Sequence, residues 1–142
     1  MMIFTNSDGG ARGNPGPGAI GIVVRKDGEI LMKHGSLIGK FVTNNIAEYE
    51  ALIKALEMAA EVTKGEITCC LDSELVVKQL LGEYRVRNPK LLELFLKVQK
   101  LQERFEKIVY KHVRRDDKFQ QIVDELLNNE LDKAGYSRYR KH

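Results

Sequence analysis

The sequence is poor in cysteine, with only Cys69 and Cys70 among its 142 residues. Adjacent residues of a strand point to opposite faces, so this pair offers neither a disulfide framework nor metal-site spacing. Both thiols read as reduced packing residues. Nowhere does an apolar run reach the roughly 18 residues that a membrane-crossing helix needs. The opening residues also lack the basic-then-apolar pattern of a secretory signal and the Arg-rich pattern of a transit segment. The expectation is a cytoplasmic protein with no membrane span. Charge of one sign is scarce too, since 23 basic and 20 acidic residues leave a net +3, a weak pull toward polyanions. Residues 133–142 depart from that balance, with four formal positives, two tyrosines and no acid. Such a basic tail suits a phosphate backbone, and a solvated chain end has the same composition.

What is present is ordinary for a soluble globular chain: 43% hydrophobic and 30% charged residues. The length predicts one domain, residues 1–142, burying roughly two thirds of its unfolded surface, with 134–142 as the basic tail. No internal repeat, low-complexity run or linker divides it.

An apolar run, Met2 to Asp8, reads as a first strand. Five glycines and two prolines follow within Gly9–Gly18, which predicts that this strand ends at Asp8 in a tight, backbone-exposed loop. Ala19–Arg25 and Ile30–Ile38 read as two strands joined by a turn at Lys26–Glu29. Then the period changes. Ile46, Tyr49, Ile53, Leu56 and Ala60 recur at helical spacing, so a helix is expected from Asn45 to about Val62. Glu66–Leu71 is a fourth strand ending at Asp72, and a helix from Ser73 to about Leu81 closes at Gly82. Asn88-Pro89 opens a third helix with Leu91, Leu92, Phe95, Val98, Leu101 and Phe105 as its buried stripe. Ile108–Val113 is a fifth strand, Arg114–Phe119 a charged loop, and Gln120–Lys133 the last helix. The order βββαβααβα predicts an α/β fold, a mixed five-stranded sheet with helices on both faces and strands one, four and five parallel.

Four carboxylates stand at comparable places. Asp8 and Asp72 end strands, and the C-terminal ends of neighbouring parallel strands border the crevice where ligands bind. Glu48 lies in the first turn of the first helix, and Asp124 falls early in the last helix, at the margin of the buried arc Ile122, Val123, Leu126, Leu127 and Leu131. Each has a plainer reading: Asp8-Gly9 as a turn, Glu48 as a capping-box partner of Asn45, Asp72 as a helix cap, Asp124 as a solvated charge. Acids that close repel unless a cation joins them, and a ring of hard oxygen ligands suits Mg²⁺ or Mn²⁺.

Asp8-Gly9-Gly10-Ala11-Arg12-Gly13-Asn14-Pro15-Gly16-Pro17-Gly18, Thr43-Asn44-Asn45-Ile46-Ala47-Glu48-Tyr49, Leu71-Asp72-Ser73 and the Asp124–Asp132 helix together resemble the motif set of type 1 ribonuclease H. The match spans roughly residues 2 to 132 in the family's order. The resemblance implies a ribonuclease H-like fold and an endonuclease that hydrolyses the RNA strand of an RNA–DNA hybrid, with Asp8, Glu48, Asp72 and Asp124 as catalytic acids and metal ligands. It implies two Mg²⁺ ions per site, replaceable by Mn²⁺ and bridged by Asp8, a monomer, and hybrid contacts from Gly9, Gly10, Arg12, Asn14, Thr43, Asn44 and Asn45. Two ions about 4 Å apart can activate a water and stabilise a leaving oxygen in an in-line displacement. His112, near the end of the fifth strand, and Arg115, on the loop before the last acid, are auxiliary candidates.

The sequence departs from the family at Asn6-Ser7, where a bulkier apolar residue and Thr are usual, so a bulge or shifted strand end is expected there. Ser73-Glu74 replaces the usual Ser-Gln, and Gln120 and Val123 replace the usual Asn and Ala. The basic, Trp-bearing handle is missing, as in shorter archaeal and some bacterial forms, leaving Arg85, Arg87, Lys90 or the tail to grip the hybrid. Two other functions share these residues: a nuclease-silent hybrid-binding module, and a same-fold metal nuclease acting on duplex RNA or DNA junctions.

Overall fold

In the computed structural model, which describes residues 2–137, the chain runs β1 (Ile3–Ala11), β2 (Gly16–Lys26), β3 (Glu29–Val42), α1 (Asn44–Ala60), β4 (Glu66–Leu71), α2 (Glu74–Leu80), α3 (Pro89–Gln102), β5 (Lys107–His112) and α4 (Lys118–Lys133). The sheet order is β3-β2-β1-β4-β5. β2 is antiparallel to β1 and β3, whereas β4 pairs parallel to both β1 and β5. The expected order, the mixed sheet and the parallel trio all stand. Residues 138–142, most of the basic tail, lie outside the described residues.

β1 does not end at Asp8. It continues through Gly9, Gly10 and Ala11, paired with Ile20, Ala19 and Gly18 of β2. The glycine-rich stretch propagates a ladder because β2 runs opposite it, while Gly9 N–H and Ala11 N–H find side chains of the following helix, Glu48 and Asn44, and the turn is confined to Arg12–Pro15. No bulge occurs at Asn6-Ser7 either: the β1–β2 register is continuous, and the shifts fall between β2 and β3, at Gly16/Gly18, Gly18/Ala19 and Val24/Arg25.

One face of the sheet carries α1 with α2 and α3 behind it, and there Ile3, Ile20, Ile22, Val24, Leu52, Leu56, Ile67, Leu71, Leu94 and Val98 form the main core. The α3 stripe differs from expectation at one position. Leu92 is 40% exposed while Leu94 is buried, since one residue turns a helix by about 100° and Leu91, Leu94, Val98 and Leu101 share the inner side.

α4 covers the other face, where Leu127 and Leu131 pack on Ala19. Its start is fastened by polar groups. Arg25 lies between the rings of Phe4 and Phe119, 4.4 and 4.1 Å from their centroids, and its Nε donates to Asn6 Oδ1 at 2.9 Å. Asn6 Nδ2 in turn donates to Gln120 Oε1 at 3.1 Å. The two departures at Asn6 and Gln120 are therefore halves of one buried amide pair.

α4 approaches β2 very closely. A Cβ at Gly21 would stand 2.1 Å from the carbonyl oxygen of Val123, so only glycine permits this contact. Gly21→Ala is expected to destabilise the fold by ~1–3 kcal/mol, while Gly28→Ala, with nothing within 4 Å, should change it by under about 0.5 kcal/mol. Denaturant midpoints at unchanged slope measure both.

Candidate active site

The parallel pairing of β1 with β4 sets Ser7 beside Leu71, so the next residues, Asp8 and Asp72, emerge side by side. Glu48 comes from above. A Cβ at Gly9 would lie 2.1 Å from the carbonyl oxygen of Ala47, so glycine lets α1 sit against β1, and Gly9 N–H donates to Glu48 Oε1 at 2.9 Å. Asp8, Glu48 and Asp72 each present a carboxylate oxygen, all within 4.8 Å of one another. Asp124 lines the same cavity, of about 480 Å³, with these three acids, Gly9, Gly10, Asn44, Asn45 and Arg115.

The capping roles go to other residues. Thr43 Oγ1 accepts from Ile46 N–H at the start of α1, Ser73 Oγ accepts from Val76 N–H at the start of α2, and Asp117 caps α4. Glu48, Asp72 and Asp124 are thereby left for the cavity, and the readings of Glu48 as a capping-box partner of Asn45 and of Asp72 as a helix cap fall away.

The site is electrostatically costly without a cation. Burial first, and then the neighbouring Glu48, Asp72 and Asp124, push the Asp8 carboxyl far above the usual carboxylate range. Burial also raises Glu48, against the Gly9 N–H that favours its charged form. Asp72 is raised by burial, with Arg115 opposing. The second Glu48 oxygen is buried with no hydrogen-bond partner. An orphaned carboxylate oxygen beside two further acids is the donor set of a divalent cation, and the three acids could hold one.

Of the expected substrate residues, Gly9, Gly10, Arg12, Asn44 and Asn45 line this cavity, and Asn14 and Thr43 lie beyond its lining. Ala11 N–H donates to Asn44 Oδ1 and Asn44 N–H to Asn14 Oδ1, both at 2.9 Å, which ties the glycine loop to the start of α1. Asn14, Thr43, Asn44 and Asn45 line a second cavity of about 460 Å³ with Asn88 and Lys90. Arg12 is buried and turned toward α4, where it bonds Asp132 and Asn128. His112 is exposed, its Nε2 3.2 Å from the Asp72 carbonyl oxygen. Exposed Arg115 places Nε 3.9 Å from Asp72 Oδ2. Asn128, which also lines the main cavity, was missed in the sequence, although it follows Asp124 at one helical turn.

Comparison with known proteins agrees with this geometry. The sequence model of a family described as "Reverse transcriptase-like" matches residues 6–128. Ribonuclease HI of Halobacterium salinarum is 41% identical over 128 residues, 89% of this chain and 63% of that protein, and a crystal structure of RNase H1 from that archaeon superposes with a TM-score of 0.87 over 94% of this chain and 99% of its own. A bifunctional protein of Mycobacterium tuberculosis is 37% identical over 139 residues, 96% of this chain but only 37% of that protein; its N-terminal RNase H domain gives a TM-score of 0.87, covering 94% of this chain and 95% of the domain. LC11-RNase H1, solved in complex with an RNA/DNA hybrid, is 40% identical with a TM-score of 0.86 over 93% of this chain and 98% of its own. The chain thus spans about a third to two thirds of the length of these curated relatives.

A raised carboxyl pKa means that, above the ordinary range, the unfolded chain ionises while the folded one keeps its proton. Stability is then lost as pH rises from about 4 toward the folded value. Metal-free Asp8→Asn is accordingly expected to be more stable than the parent at pH 8, by ~1 kcal/mol or more, with the gain vanishing near pH 3.5. Thermal midpoints in a chelator across that range test this.

Proposed function

The chain belongs to the type 1 ribonuclease H family, and on that premise we propose that it is a metal-dependent endonuclease hydrolysing the RNA strand of RNA–DNA hybrids. The observation that carries this reading is the meeting of Asp8, Glu48 and Asp72 within 4.8 Å, beside a cleft lined by Asp124 and the asparagines.

Asp8, Glu48, Asp72 and Asp124 would hold two Mg²⁺ ions, with Mn²⁺ able to substitute. When bound, such ions lower the pKa of a water and neutralise charge on the leaving oxygen. The protein's own contribution is placement. Gly9 N–H holds one Glu48 oxygen and leaves the other without a hydrogen-bond partner, and the β1–β4 register keeps Asp8 beside Asp72. Hydrolysis forms a bond from the water oxygen to phosphorus and breaks the phosphorus–O3′ bond, leaving 5′-phosphate and 3′-hydroxyl ends. Arg115 and His112, both beside Asp72, are auxiliary groups for charge balance or proton movement there.

Selection of a hybrid rests on short polar groups. Its wide minor groove carries 2′-hydroxyls on one strand only, and Thr43, Asn44, Asn45 and Asn14, with the exposed backbone at Gly9 and Gly10, can donate to and accept from them. Lys90 and the first turns of α1 and α3 border the adjoining cavity and suit a backbone phosphate. The same reading has the protein acting in the cytoplasm as a monomer. All four acids coming from one chain supports the second part, and no described helix is long and apolar enough to cross a membrane.

The test is a substrate panel in Mg²⁺ or Mn²⁺: labelled hybrid, duplex RNA and branched DNA. Cutting of the RNA in the hybrid alone is expected, abolished by chelator and reduced at least ~10³-fold, about 4 kcal/mol in barrier, by Asp8→Asn or Asp72→Asn. Cutting that persists in both variants, or that prefers duplex RNA or junctions, overturns the reading.

A further inference from the structure

Four polar residues of α4 recur at every fourth position: Gln120, Asp124, Asn128 and Asp132. That spacing lays them along one side of the helix. The first is fully buried, its Nε2 donating to the Ser7 carbonyl oxygen at 2.8 Å and its Oε1 accepting from Asn6 at 3.1 Å. The last two are gripped by Arg12, only 9% exposed. Arg12 Nη2 donates to Asn128 Oδ1 at 3.0 Å and to its carbonyl oxygen at 3.2 Å, and Nη1 donates to Asp132 Oδ1 at 2.7 Å and to the Tyr136 carbonyl oxygen. Asn128 Nδ2 then donates to the carbonyl oxygen of Asp124 at 2.9 Å.

Both anchors belong to the strand that carries the central acid or to its immediate continuation: Ser7 directly precedes Asp8, and Arg12 is the first residue after β1. We propose that α4 is clamped to β1 at two points straddling Asp124, and that Gln120 and Arg12 are positioning residues setting how Asp124 faces Asp8 and Asp72. This rests on the nuclease reading above for its catalytic consequence, though not for its structural one. Apolar contacts at Val123, Leu127 and Leu131 hold α4 down without fixing its rotation, because burial is non-directional. Hydrogen bonds are directional, and two of them a turn to either side of one residue fix both rotation and sliding. Arg12 on this view acts on the reaction through the helix rather than by touching the hybrid.

A double-mutant comparison tests the clamp. Gln120→Met and Arg12→Met remove the polar bonds while keeping most of the side-chain length, and each is made in the parent and in Asp124→Asn. In the parent each is expected to lower kcat by ~10-fold or more, given what a 1 Å misplacement costs, with KM for the hybrid changed less than about threefold. In Asp124→Asn the same substitutions should change kcat by less than about threefold, since the group they position is already gone. Arg12→Lys should recover part of the loss. A second readout is independent of turnover: Mg²⁺ alone, added to isotope-labelled protein, should shift the side-chain carboxyl resonances of Asp8, Asp72 and Asp124 in the parent and spare that of Asp124 in the Met variants. Should Gln120→Met not fold, Gln120→Asn keeps the amide with a shorter reach and carries the same comparison. Equal losses in both backgrounds, or an undiminished Mg²⁺-induced shift at Asp124, overturn the clamp. A parent whose carboxyls shift as expected yet cuts no hybrid overturns the nuclease reading and leaves the clamp standing.

Discussion

Three carboxylates within 4.8 Å of one another in a largely buried place repel, and folding must overcome that repulsion before any cation arrives. Most of the architecture can be understood as meeting this demand. Asp8 is held in register between β2 and β4, Glu48 is tethered by the Gly9 amide, and Arg115 offsets Asp72 from the solvent side. The surrounding hydrophobic core supplies the free energy that the cluster takes away, since α1 buries one face along almost its whole length.

Close backbone approach is the means by which rigid elements bring the acids together. Gly9 admits α1 and Gly21 admits α4, each to a distance at which a methyl group would overlap a carbonyl oxygen. The two helices lie on opposite faces of the sheet, yet Glu48 and Asp124 line one cavity because each contact sits beside Asp8: Gly9 follows it in β1 and Gly21 is its partner across in β2. Short polar ties then finish the placement: the Asn14–Asn44–Ala11 bridge on one side and the Asn6–Gln120 pair on the other.

Element order and the parallel trio of strands were legible in the sequence because hydrophobic period is a local signal, and the four acids stood out by the short motifs around them. The end of β1 was not. Gly9 and Gly10 carry the composition of a turn, and only the presence of β2 across from them makes them strand. The plainer readings of Asn45 with Glu48 and of Asp72 as caps are not realised, because several polar residues compete for the same amides and the hydroxyls of Thr43 and Ser73 hold them. Leu92 was placed inside by counting apolar residues rather than by their angle. The Arg12 and Gln120 contacts join residues more than a hundred positions apart, which no local pattern encodes, although the fourfold step through Asn128 and Asp132 was visible.

β3 is the long outer strand of the sheet, fourteen residues with one ladder of backbone groups facing outward. Its irregular register against β2 keeps that margin from lying flat, and Lys33 and Lys40 stud it with positive charge. A bent, cationic rim is a poor template for another chain's strand. The same strand exposes Leu31, Leu37 and Phe41, so bend and charge there work against an apolar surface that would otherwise welcome a second chain.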